Sequence, residues 1–425
     1  MPTETLTPPP LTPRLPPQHA PMSQFAQADG ELLIGGQPVR RLAARVGRTP
    51  FYAYDRSLLD ARVAELRQQL PAGLKLHYAI KANPMPALVG HMARLVDGLD
   101  VASGGELRVA LDTGADPAEI SLAGPGKTDA ELCQAVAAGI LINVESFREL
   151  DVLDRCAAEL DLPARVAVRV NPDFELKSSG MKMGGGPKPF GVDAERVPEL
   201  LAAMRGTRLQ FEGFHLFAGS QNLRAEAIVE AQCKSFELAL RLSADAPAPV
   251  RFLNLGGGFG IPYFPGERRL DLAPIADNLA QLQQQARTLL PEAALVIELG
   301  RYLVGEAGVY VCRVIDRKVS RGQVFLVTDG GLHHHLSASG NFGQVIRKNY
   351  PVAIATRMAP TQDGHTENVT LVGPLCTPLD LIAERMTLPA AEPGDLVAVY
   401  QSGAYGASAS PQAFLGHPPA LEVLV

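Results

Sequence analysis

Several things are scarce in this chain, and each scarcity removes a class of function. No uninterrupted apolar run approaches the roughly 18 residues of a membrane span. The first residues also lack the basic-then-apolar pattern of a secretory signal, so a cytoplasmic protein without a membrane partner is expected. Basic residues are not in excess: 39 Lys and Arg face 45 Asp and Glu, a net charge of -6. Binding of nucleic acid through a basic surface is thereby disfavoured. The five cysteines, at 133, 156, 233, 312 and 376, stand singly with no C-x-x-C pair. Neither a disulfide framework nor a structural zinc site is suggested, and a reducing compartment fits. Charged residues make up 20% against 46% hydrophobic, which excludes a disordered or fibrous chain.

What remains is a globular protein of 425 residues, long enough for two or three structural units. Residues 1 to 22 hold eight prolines and almost nothing that could pack, so 1–28 is expected as a poorly ordered tail. Residues 29–50 are expected to add a strand segment to a later β domain. From Phe51 short β-branched or apolar runs alternate with amphipathic stretches, the pattern of βα units around a parallel sheet. Eight such runs begin at positions 74, 99, 119, 140, 166, 211, 252 and 295. Helix-like segments lie between them, one ending at Gly206 as helices often do. Eight strands with seven crossovers imply a (β/α)8 barrel over 51–305, since that fold takes roughly 250 residues. A doubly wound open sheet is the competing arrangement. From 306 to 425 strand-like runs separated by turns replace the helical periodicity, and a C-terminal β domain is expected.

The unusual residues cluster by position. Lys81, Ser103, Asn171, Ser220, Gly256, Gly257, Gly258, Glu298 and Arg301 all fall at or just after the C-terminal end of an expected barrel strand, the rim on which barrel enzymes build their sites. Lys81 sits beside an apolar strand end and is followed by Pro84. That setting favours a lysine held inward, where desolvation lowers its pKa and frees the amine to attack a carbonyl. LNLGGGFG is not a dinucleotide fingerprint, because the final glycine of G-x-G-x-x-G would fall at Ile261. Three glycines after the seventh strand suit a phosphate loop; a tight turn without ligand is the plainer reading. A lysine opposite a phosphate cradle points to a phosphorylated aldehyde cofactor, pyridoxal 5'-phosphate.

HYAIKANP, DVASGGEL, GSQ at 219 to 221, GGGFG, ELGRYLVGEAG, GPLCTPLD and SGAYG occur in the order and approximate spacing of the fold-type III pyridoxal phosphate decarboxylases. The chain resembles this diaminopimelate/ornithine decarboxylase family from about residue 45 to 425. The resemblance implies an alanine-racemase-like barrel with a β domain, and decarboxylation through a Lys81 aldimine and a quinonoid. It implies that Ser103, Phe217, Ser220, Gly256, Gly257, Gly258, Arg301 and Tyr405 contribute to the cofactor site. Glu298 would face the pyridine nitrogen and keep it protonated, making the ring an electron sink. The related racemases place an arginine there, so Glu298 argues for decarboxylation. Arg301 would lie near the cofactor phosphate or the substrate carboxylate; a salt bridge at the domain junction is its plainer role. Cys376 matches the family's proton donor, delivered from the second subunit of a homodimer with shared active sites.

The departures concern substrate. Where the family stacks a histidine on the cofactor ring, this chain has Phe217, with His215 two residues earlier. Where diaminopimelate decarboxylases continue GPLC with Glu-Ser-Gly-Asp, and ornithine enzymes with Asp, this chain reads Thr377, Pro378, Leu379, Asp380. Arg347 and Tyr350 occur at a spacing unlike the family's Arg-Pro-x-x-Tyr. His215, Arg301, Arg347, Tyr350, Thr377 and Asp380 are therefore the substrate candidates. Losing charged contacts for a distal ammonium and carboxylate disfavours the free amino acids. A modified or carrier-protein-bound amino acid is expected, as for the subgroup that includes carrier-linked and exosortase-associated decarboxylases. Free meso-diaminopimelate is the alternative, and a catalytically inactive regulatory homologue is an alternative of another class. Lys177, Lys182 and Lys188 would help meet an acidic carrier, or belong to a solvated loop. His333, His334 and His335 read as a strand, whose alternating faces prevent convergence on one metal ion.

Overall fold

The computed structural model describes residues 18–175, 181–182, 184–344, 346–359 and 366–425. Eight parallel strands close into a barrel: Lys75–Ala79, Gly98–Val101, Ile120–Leu122, Leu141–Val144, Ala164–Asn171, Leu209–Leu216, Phe252–Gly257 and Ala294–Leu299. Each pairs with the next, and the ring closes where Glu298 and Leu299 lie beside His77 and Tyr78. Local chemistry fixes the intervening helices. Asp129–Ala138 begins on a capping box between Thr128 and Glu131 and ends on the left-handed Gly139. The apolar core packs the strands against the helical layer, as βα crossovers require, while the barrel strands also bury a chain of polar side chains, His77, Asp100, Ser121 and Asn143, bonded to one another. All eight runs read from the sequence are barrel strands, and the open sheet is excluded by closure.

The C-terminal sheet is mixed and mostly antiparallel, built on the long strand Gly308–Ser320, which pairs with Gln323–Thr328 and Leu396–Val399. One strand comes from far away. Phe51–Tyr54 pairs antiparallel with Gly308–Ser320 and parallel with Leu421–Leu424, so these residues belong to the second sheet and not to the barrel segment that opens at 51. The misassignment has a local cause: a fully buried FYAY run leads directly into helix Arg56–Gln69. That is how a βα unit looks, whichever sheet the strand joins.

Residues ahead of it pack on this second sheet as a separate small unit. Glu31–Ile34 forms a small meander with Gln27–Ala28 and Gln37–Pro38, and Leu32, Ile34, Val39 and Leu42 bury against Phe51, Val309 and Ala398. Residues 18–28, expected as tail, are packed: the Gln18 carbonyl accepts from Gly266, His19 bonds the Asn349 carbonyl at 2.8 Å, and Phe25 lies against Tyr400. The proline-rich residues 1–17 lie outside the described residues.

The cysteine reading is corrected too. Cys133 and Cys156 form a disulfide, their Cα atoms 5.3 Å apart. They sit on helices Asp129–Ala138 and Phe147–Leu160, neighbours because they flank one barrel strand; a spacing of 23 residues carries no sign of that. Cys233, Cys312 and Cys376 are free. No helix among the described residues is long and apolar enough to cross a membrane.

Candidate active site

At the C-terminal rim of the barrel, the first strand ends in a 3-10 turn, Ile80–Ala82, that carries Lys81. Its frame is rigid. The buried Asn83 donates to the Gly403 carbonyl at 2.9 Å, Tyr78 donates to the Asn83 carbonyl at 2.8 Å, and the Tyr405 amide donates to the Ala82 carbonyl at 2.8 Å. The second domain thereby grips the turn from outside the barrel. The Lys81 side chain itself is 45% exposed, in the mouth of a cleft. Its Nζ lies 4.0 Å from Glu298 Oε1 and 5.4 Å from the centre of the Phe217 ring. Desolvation opposes its charge, but Glu298 and Tyr405 favour it, and the ammonium ends above the ordinary lysine range. The expected lowering is thus reversed: the neighbouring carboxylate outweighs burial.

Glu298, near the end of the eighth strand, is 6% exposed. Its Oε2 accepts from His215 Nε2 at 2.9 Å and from Asn254 Nδ2 at 3.1 Å, leaving Oε1 toward Lys81. Burial alone would raise its pKa; His215, with Lys81 and Arg169, instead holds it well below the usual carboxylate range. His215 therefore lies beneath the cleft as a partner of Glu298, whereas the half-buried Phe217 lines the cleft itself.

The glycine loop closes the far end. A Cβ on Gly257 would stand 1.9 Å from the Glu298 carbonyl oxygen, and one on Gly258 2.1 Å from that of Gly219. Gly256 and Gly258 also adopt left-handed backbone, at φ 73° and 76°. The loop is locked to the preceding one, since Asn222 donates to the Gly258 carbonyl and Gly260 to that of Asn222. Ser220, Gly258, Arg301 and Tyr405 line the same cleft as Lys81, Phe217 and Glu298. Arg301 donates to Tyr263 Oη at 2.9 Å and stacks 4.6 Å from the Tyr405 ring. Its buried Nε has no partner. Burial opposes this charge, while Tyr263 and Tyr405 sustain it, so an unneutralised cation faces the cleft. An amine, a glycine-lined cradle with a cation beside it, and a carboxylate with one free oxygen fit the aldehyde, phosphate and ring nitrogen of pyridoxal phosphate.

Residues 56–305 match the family model described as the pyridoxal binding domain of pyridoxal-dependent decarboxylases. The chain belongs to this pyridoxal-dependent decarboxylase family. It is a carboxy-lyase that uses pyridoxal phosphate. Over 379 residues, 88% of each chain, it is 40% identical to the L-glutamyl-[BtrI acyl-carrier protein] decarboxylase of Niallia circulans. It is 35% identical over 402 residues to the diaminopimelate decarboxylase of Aquifex aeolicus, 93% of this chain and 91% of that one. The crystal structure of diaminopimelate decarboxylase from Helicobacter pylori complexed with L-lysine superposes with a TM-score of 0.79 at 28% identity, covering 91% of this chain and 94% of that one.

Other candidate residues of this decarboxylase lie elsewhere. Ser103 Oγ caps helix Gly104–Asp112 by accepting from the Glu106 amide. Asp380 is buried, its two oxygens accepting from the Leu332 and Leu375 amides at 2.6 and 2.7 Å, so that it clamps one loop to another. Arg347 donates to the Ser339 and Leu381 carbonyls and to Asn349. Thr377 Oγ1 accepts from the Leu379 amide. Tyr350 packs in an aromatic cluster, 4.7 Å from the Tyr263 ring, one residue removed from Arg301. Cys376 is exposed and lies outside the cleft of its own chain. Asn171 pins the segment beyond it, accepting from Gly185 and donating to the Gly186 carbonyl. Lys177 and the side chain of Lys182 lie outside the described residues; Lys188 is half-buried.

His333, His334 and His335 form a turn in which both later amides donate to the Gly331 carbonyl, so the strand argument does not apply to them. His335 bonds Ser402 and His334 the Pro418 carbonyl. Two site residues escaped the sequence reading, Asn254 and Tyr263. Asn254 had a usable signal, a polar residue two places before the glycines in an otherwise apolar strand.

Proposed function

We propose that this decarboxylase removes the α-carboxylate of a modified or carrier-protein-bound amino acid. The observation that carries the reading is the engagement of Arg347 and Asp380 with backbone groups. Neither is available to a distal carboxylate or ammonium, and Thr377 offers no charge. A site without such contacts discriminates poorly for free diaminopimelate, and the likeness to the carrier-linked Niallia circulans enzyme supports the same conclusion.

In this reading Lys81 would take the aldehyde, the glycine loop with Ser220, Arg301 and Tyr405 would hold the phosphate, and Phe217 would pack against the ring. Bound cofactor supplies the carbonyl that takes the substrate amine and the ring that accepts the electrons left when CO2 departs. Glu298 Oε1 would keep a proton on the ring nitrogen, since His215 and Asn254 leave that oxygen free and His215 holds the carboxylate ionised. Cys376 Sγ delivers the proton to the carbon that lost CO2. It comes from a second copy of the chain, so the enzyme works as a homodimer with shared sites. The exposed apolar side chains Phe342 and Leu379 lie by that region: Asn341 bonds the Leu379 carbonyl, and Phe342 stacks on Tyr405. Such a patch beside the cleft suits burial against another copy. A cytoplasmic location goes with a carrier-bound substrate; the Cys133–Cys156 disulfide is the feature against it.

The test is CO2 release by purified, cofactor-loaded protein offered meso-diaminopimelate, lysine, ornithine, arginine and aminoacyl carrier proteins. Release only from the carrier-bound amino acids is expected. Release from free diaminopimelate at comparable efficiency overturns the substrate assignment.

A further inference from the structure

We propose that Asn254 is a positioning residue that joins the two ends of the cofactor cleft, one amide fixing both Glu298 and the glycine loop. The inference rests on Glu298 meeting the ring nitrogen and the loop meeting the phosphate. Asn254 lies in the seventh barrel strand, fully buried, in register with His215 on one side and Val296 on the other. Its Nδ2 donates to Glu298 Oε2 at 3.1 Å, and its Oδ1 accepts from the Gly256 amide at 2.7 Å. Only one orientation of the amide works. Turned over, its oxygen would face a carboxylate and its NH2 group an N–H, two repulsive contacts.

Each end is under constraint. A Cβ at Gly256 would meet the Leu216 carbonyl at 2.7 Å, so the first peptide of the loop has no lateral freedom, and the bond to Asn254 sets its direction. At the other end, Asn254 and His215 both occupy Oε2 of Glu298. That occupancy aims Oε1 alone at the cleft. A neutral group with a donor at one end and an acceptor at the other is required. Aspartate would satisfy Gly256 but set a second carboxylate against Glu298, forcing the pair to share a proton. Alanine would leave the Gly256 N–H without its partner and remove one donor from Glu298. The geometry therefore couples ring-end and phosphate-end binding through a single side chain.

The experiment compares wild type, Asn254→Ala, Asn254→Asp and Glu298→Gln. It measures the equilibrium binding of pyridoxal phosphate and of phosphate-free pyridoxal to apoprotein, together with a pH titration of the bound cofactor's visible absorbance. Asn254→Ala is expected to weaken pyridoxal phosphate by about tenfold or more, and to shrink the advantage of pyridoxal phosphate over pyridoxal, because both ends loosen. Asn254→Asp keeps the acceptor and the shape, so it is expected to retain that advantage while adding a titration step at about pH 5–8. Wild-type affinities in Asn254→Ala overturn the proposal. If that variant does not fold, Asn254→Asp decides alone, and absence of the new step overturns it. Glu298→Gln separates the two levels of inference. If it leaves pyridoxal affinity and absorbance unchanged, the assignment of Glu298 to the ring fails. If it alters them while the Asn254 variants behave as wild type, only the coupling fails.

Discussion

Substituting Gly257 by alanine tests whether the glycine loop and Glu298 form one rigid unit. Gly257 does not need glycine for its backbone angles, as it is absent from the positive-φ positions; what it lacks is room. Its Cβ would meet the Glu298 carbonyl oxygen at 1.9 Å and the Glu298 carbon at 3.0 Å, both backbone atoms of the paired strand. Ordinary contact begins at 3.4 Å, so the two strands must separate by about 1.5 Å at the point where one carries the glycine loop and the other Glu298. A displacement of about 1 Å in a catalytic constellation costs on the order of 100-fold in rate, and overpacking of this kind costs about 1–3 kcal/mol of stability. Gly126→Ala is the control, since nothing lies within 4 Å of a Cβ there, and it should stay within about 0.5 kcal/mol of wild type. The assays are cofactor titration by absorbance, kcat/KM for CO2 release and urea denaturation. Gly257→Ala with wild-type cofactor affinity and turnover would refute the argument that backbone contact at this glycine positions the site.

Three further outcomes are expected. Lys81→Ala and Cys376→Ala homodimers should each be inactive or nearly so, and mixing them under exchange should restore about a quarter of wild-type activity through hybrids with one intact site; no recovery would place lysine and cysteine within one chain. His335, buried, accepts from the Ala338 amide and donates to Ser402; desolvation lowers its pKa from 6.5 to about 3. The folded state then binds fewer protons than the unfolded one between those values, so this group's stabilisation is complete above pH 6.5 and is lost as pH falls toward 3, about 2 kcal/mol of it by pH 5. Urea midpoints that fall equally in wild type and His335→Gln over that range would show that the histidine is not responsible. Unfolded, unreduced protein should yield three alkylated cysteines and reduced protein five, with reduction costing about 3 kcal/mol for a loop of this length; five thiols without reduction would disprove the Cys133–Cys156 pairing.

Much of the architecture was legible because its signals are local. Strand periodicity, helix caps such as Thr128 and Gly139, and the placement of Lys81, the glycines and Glu298 at strand ends all depend on residues within one turn or one strand. The site was legible to the same depth: residues that line the cleft were found, whereas of those beneath it Asn254 was missed and His215 was named for another role. His215 was set among the substrate groups because a sequence does not reveal which acid an internal histidine meets. Asp380 looked like a recognition residue because nothing adjacent reveals the two amides that it caps.

The sequence by itself determined the barrel's strand count, the cofactor and the family, since each follows from patterns repeated along the chain or from short motifs with fixed spacing. Tertiary structure alone decided that Phe51–Tyr54 leaves the barrel for the second sheet, that Cys133 meets Cys156, that Lys81 is held charged, and that His215 and Asn254 converge on Glu298. Each of these depends on partners distant in sequence, whose approach is set by the closure of the barrel and the docking of the second domain. Pairing, desolvation and charge are properties of that assembled geometry.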